Sequence, residues 1–253
     1  MKAGLTIAAA ALAMSAAPVA HANSDTLADL KALVSQGAFK EAYLHLGDIP
    51  PAQRSADWVD VASSAAAGVL PTLSSDDGTT IEAIDQIDRD YPQLLKTAKY
   101  LKVRADLGLK GLAGCYAQTS DYWSSYGIAN CSTLALRFID NAGGDKALAL
   151  QVAKLASRSM MAYSAVPFFK RALSRDPAVC KDGDLQTAVV SGLGLEPEHA
   201  GDAKAMMTTC WDSVKDAVAK AFAADSAHGF VRQNTCGILK AKGMISGLQA
   251  KRC

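Results

Sequence analysis

Apolar residues recur three and four positions apart along most of this chain, and no stretch alternates apolar with polar residues as a half-buried strand would. Side chains at that spacing share one face of a helix, so the pattern predicts an all-α fold. The clearest case is Ser164 to Pro177 (SAVPFFKRALSRDP), where Ala165, Phe169 and Ala172 make one stripe and Pro177 ends it. Lys170, Arg171 and Arg175 fall off that stripe and extend its solvated side. Pro167 either opens a helix in its first turn or kinks a continuous one.

Leu27 to Leu46 is predicted as two helices meeting at Gly37, the first capped by Ser24 or Asp25. Ala56 to Leu70 is a third, and Ile81, Ile84 and Ile87 mark a fourth that ends before Pro92. Leu94 to Leu109 is a fifth, with Lys96, Lys99, Lys102 and Arg104 mainly outward; Gly111 and Gly114 close that half. A short helix is expected over Leu134 to Asn141, and a longer one opens at Asp145. Asp184 to Leu193 and His199 to Ala224 form a pair, and Phe230 to Cys253 a frayed cap interrupted by Gly237, Gly243 and Gly247.

Two stretches carry a family likeness. Gln36-Gly37-Ala38-Phe39-Lys40-Glu41-Ala42 resembles the turn between the paired helices of a tetratricopeptide repeat, and Ala165 to Pro177 resembles its second helix. The resemblance implies an α-solenoid-like array of antiparallel helical hairpins that binds partners on a concave surface without catalysis. The expected organisation is a signal peptide at 1–22, helical hairpins over 23–112, a disulfide-bounded aromatic loop at 113–132 and further hairpins over 133–253. All the hairpins belong to one continuous domain.

The signal peptide rests on Lys2, the alanine-rich apolar run from Ala3 to Ala20, and the small-x-small site Ala20-His21-Ala22. No membrane span is expected after cleavage, and the destination is periplasmic or secreted. Removing Lys2 from 26 basic residues leaves them balanced against 25 acidic ones, with no basic block, which argues against a nucleic-acid partner. All six cysteines, Cys115, Cys131, Cys180, Cys210, Cys236 and Cys253, follow the cleavage site. An even count in an oxidising compartment predicts disulfides. Cys180–Cys210 is expected from the lengths of the two helices that follow Pro177, Cys115–Cys131 from a loop folding back, and Cys236–Cys253 by elimination.

The candidate binding residues are Tyr116, Asp121, Tyr122, Trp123 and Tyr126, rings and polar groups suited to a protein, peptide or glycan of the cell envelope. Packing between two helical halves is the alternative role for the rings. His45, His199 and His228 lack metal-binding spacing such as H-E-x-x-H, and no metal or cofactor is expected. Glu196 and Glu198, flanking Pro197, fit the first turn of a helix, and Asp182-Gly183-Asp184 fits a helix cap. No nucleophile elbow or phosphate loop is present. The expected function is non-catalytic binding of another macromolecule; the alternative is a small hydrolase or lyase using an aromatic cleft around Trp123.

Overall fold

The computed structural model describes residues 26–73, 78–117, 123–143, 145–247 and 250. The signal peptide, Asp121, Tyr122 and Cys253 lie outside them, as do the side chains of Trp123 and Tyr126. The described residues are helical, with twelve α-helices and no strand.

Helix α1 (Leu27–Ser35) is capped by Thr26 rather than by Ser24 or Asp25. The Thr26 hydroxyl accepts from Asp29 N–H while the Asp29 carboxylate accepts from Thr26 N–H, a reciprocal pair that satisfies two helix-end donors. Gly37, at φ 76°, turns the chain into α2 (Phe39–Leu44) at little steric cost. Helix α3 (Ala56–Leu73) runs past the expected stop at Leu70, with Pro71 in its last turn and the Thr72 hydroxyl donating to Val69 O at 2.7 Å. Ile81, Ile84 and Ile87 line the buried face of α4 (Gly78–Asp90), as their spacing predicts.

Helix α5 (Ala98–Ala117) departs from expectation in three ways. It begins at Ala98, and Leu94, its expected start, lies in a separate 3-10 turn, Pro92–Lys96. Gly111 and Gly114 do not end the helix but lie within it. Arg104, expected outward, is 1% exposed, while Lys96, Lys99 and Lys102 do face solvent. Its guanidinium reaches Asp88 of α4 through Nε at 3.0 Å and Nη2 at 2.6 Å, donates to Phe138 O at 2.8 Å, and covers the Phe138 ring at 4.3 Å. Tyr100 O–H and Asn141 Nδ2 also donate to Asp88, at 2.8 and 3.2 Å. A buried charge persists only when paired and hydrogen-bonded in this manner. Burial beside Asp88 pushes the Tyr100 hydroxyl far above the usual tyrosine range.

The segment 113–132, expected as a loop, is helical wherever it is described. Helix α5 extends to Ala117, and α6 (Trp123–Asn141) begins well before Leu134. The Cys115–Cys131 disulfide therefore clamps two helices. A methyl group at Gly108 would run into the Phe138 ring, so this glycine admits α6 against α5.

Asp145 caps α7 (Lys146–Ser157), accepting from Ala147 N–H at 2.8 Å. Pro167 sits in the first turn of a separate α8 (Val166–Leu173), where its missing N–H costs nothing. Ala165, Phe169 and Ala172 of the stripe are all buried. Asp182 caps α9 (Gly183–Leu193). The helix expected from His199 to Ala224 is two, α10 (Gly201–Thr209) and α11 (Trp211–Ala224). The break is at Cys210, whose disulfide to Cys180 ties it to the 3-10 turn Pro177–Lys181. The last segment forms an ordered α12 (Phe230–Ala241) that runs through Gly237. Cys236 is disulfide-bonded, and its expected partner, Cys253, lies outside the described residues.

Packing follows chain order. Helices α1 to α3 touch one another, α5 packs on α3, α4, α6 and α7, and α9 is held among α7, α8, α10, α11 and α12. One apolar core runs continuously from Leu30 to Ile245. Among the described residues no helix is long and apolar enough to cross a membrane.

Candidate functional site

The end of α9 approaches α10 closely because Gly192 has no side chain: a Cβ there would lie 2.7 Å from that of Ala203, and 3.6 Å from Val166 at the start of α8. Ser191 Oγ accepts the Tyr163 N–H at 3.2 Å and fixes the 3-10 turn Ala162–Ala165 across α9. Between these elements opens a cleft of about 560 Å³. Its apolar lining includes Met161, Tyr163, Val166, Pro167, Leu195 and Ala203. Ser132, Ser164, His199 and Asp202 add polar groups to the lining. Ser164 Oγ is buried without a hydrogen-bond partner. Asp202 pairs with Lys170 at 2.7 Å rather than with His199, so serine, histidine and aspartate share the cleft without forming a hydrogen-bonded triad.

Of the five residues expected to bind, Tyr116 is 3% exposed on α5. Its hydroxyl shares a 3.2 Å hydrogen bond with Ser132 Oγ, which places it behind the cleft wall. Burial pushes this phenol up to about 12, against the smaller opposing effect of the Ser132 hydrogen bond. Trp123 and Tyr126 occupy the first turn of α6, and Asp121 and Tyr122 precede it outside the described residues. The cleft is thus assembled from residues that the sequence does not single out together, drawn from α6, the 161–167 segment and the 192–203 segment.

The other candidates separate as well. His45 contacts Asp48 at 2.8 Å and Glu41 at 3.3 Å, and His228 is exposed. Asp182 faces Lys154 at 2.9 Å in addition to its capping role. Glu196 and Glu198 do not sit in the first turn of a helix. They belong to the turn between α9 and α10, where Glu196 O accepts from His199 N–H at 2.9 Å and Ala200 N–H at 3.1 Å. No family model matches the chain, and neither a curated protein nor a solved structure matches it.

Proposed function

We propose that this protein is an exported, non-catalytic binding module whose 161–203 cleft receives an apolar side chain of an extended peptide. The observation that carries the reading is the cleft itself: an open hollow whose lining surface is largely apolar. That lining favours peptide over glycan, because the dense hydroxyls of a sugar would lose hydrogen bonds to water without regaining them there. The architecture behind it is a solenoid-like array of antiparallel helical hairpins resembling tetratricopeptide repeats. Support comes from packing that stays between helices close in chain order, and from the buried Ala165–Phe169–Ala172 stripe. Disulfides fit a periplasmic or secreted location, where thiols oxidise.

Selection of random displayed peptides on the oxidised mature protein, followed by calorimetric titration, tests the reading. Selected peptides are expected to share one apolar anchor and to lose tenfold or more in affinity to Leu195→Arg, with its melting midpoint unchanged. Retained affinity in Leu195→Arg, with loss in Trp123→Ala, would move the site to the start of α6.

A further inference from the structure

We infer that Glu196, Glu198 and His199 form a binding site for a divalent cation of the zinc class at the mouth of the cleft. One ligand atom from each residue lies within 4.8 Å of the other two. Zinc bonds to carboxylate oxygen and imidazole nitrogen of about 2.0–2.2 Å put neighbouring tetrahedral ligands roughly 3.4 Å apart. Each separation therefore has to close by about 1.4 Å at most, which rotation of three exposed side chains supplies. The i, i+2, i+3 spacing converges because the chain makes a turn here, tied by the two N–H groups that donate to Glu196 O.

The charge around the trio points to a cation as well. Several exposed aspartates have a basic partner: Asp57 has Lys31, Asp106 has Lys102, Asp140 has Arg171 and Asp202 has Lys170. Glu196 and Glu198 enter no ion pair among the described residues, although the turn holds two carboxylates beside one imidazole. A positive ion between the three groups removes the repulsion and uses every donor.

The donor set narrows the metal. One imidazole nitrogen with two carboxylate oxygens and no thiolate suits zinc, and disfavours soft ions that need sulfur. Three protein ligands leave a fourth position open. His199 also lines the cleft, where the buried Ser164 hydroxyl still lacks a partner, so the open position adjoins a hollow with an unmet polar group. The inference stands apart from the peptide reading and is tested without any peptide.

The untagged, oxidised mature protein is titrated calorimetrically with zinc chloride at pH 7, and with cobalt(II) for its visible spectrum. The expected result is one ion per chain with micromolar dissociation and a cobalt spectrum of a low-coordinate nitrogen–oxygen site. His199→Ala and the double change Glu196→Gln/Glu198→Gln are each expected to weaken binding tenfold or more with unchanged metal-free melting. His45→Ala, which alters the other carboxylate–histidine group, is expected to leave binding intact. Absence of stoichiometric binding up to millimolar zinc overturns the inference. So does binding that survives His199→Ala or disappears in His45→Ala.

Discussion

Replacing Arg104 by methionine offers the sharpest test of how the N-terminal half is held together. Methionine retains much of the apolar stem but removes the guanidinium, and with it the donors to Asp88 at 2.6–3.0 Å and to Phe138 O at 2.8 Å. Hydrogen bonds to charged groups contribute about 1.5–3 kcal/mol each, but that sum overshoots because the guanidinium also regains its hydration on unfolding. The residual cost comes chiefly from Asp88, left charged and 3% exposed with only Tyr100 and Asn141 as donors. Removing one partner of such a pair costs about 3–5 kcal/mol. Arg104→Lys, which keeps the charge but not the fork, should fall between wild type and Arg104→Met. In Asp88→Leu/Arg104→Met the two losses should fail to add by about 2–3 kcal/mol, since neither charge is then orphaned. Guanidinium melts of the oxidised protein, with the slope checked for constancy, give these differences. If Arg104→Met costs less than about 1 kcal/mol, the pair is worth no more than a surface ion pair and the reasoning fails.

Phe169→Ala should cost about 3–5 kcal/mol in the same melts, because the ring is fully buried; a loss below about 1 kcal/mol would contradict its place in the core. Removing Cys180–Cys210, which closes a separation of 30 residues, should cost roughly 3.6 kcal/mol against roughly 3.1 for Cys115–Cys131, with its separation of 16. Paired Cys→Ser variants test that order, and a reversed order would contradict it. Burial pushes Tyr43 and Tyr116 up to about 12 from 10.0, so both keep their protons in the folded state when the unfolded chain begins to lose them. Their contribution to stability is complete below pH 10 and declines between pH 10 and 12. Ultraviolet titration of wild type against Tyr43→Phe and Tyr116→Phe reads this directly, and ionisation of either near pH 10 in the folded protein would refute it.

What could be read from residue order was local. Asp145 and Asp182 announce their helices because a capping side chain acts within three residues, and the Ala165–Phe169–Ala172 stripe lies within a single helix. The errors arose where distant partners decide. Arg104 looks like its lysine neighbours, yet Tyr100, Arg104, Gly108 and Leu112 are the buried i, i+4 row of α5. That face turns inward because Asp88 neutralises the arginine and Gly108 makes room for Phe138. The polar and aromatic composition of 115–131 suggested a loop, whereas residues at both ends continue α5 and α6. The cleft left no mark because its walls come from separate segments, and Glu196, Glu198 and His199 escaped a search for helical ligand spacing because a turn brings them together.

The two disulfides that lie wholly within the described residues have a bearing on how the chain acquires its covalent form. Each joins cysteines that are consecutive in the sequence, Cys115 to Cys131 and Cys180 to Cys210. A chain delivered from its N-terminus thus presents each correct partner before any later competitor, and closes the first bridge before Cys180 arrives. Because packing also runs between near neighbours, each cysteine pair is enclosed by helices delivered at about the same time. An oxidant acting in order of appearance would make these two bonds at the first attempt, leaving little in them for a disulfide isomerase to correct.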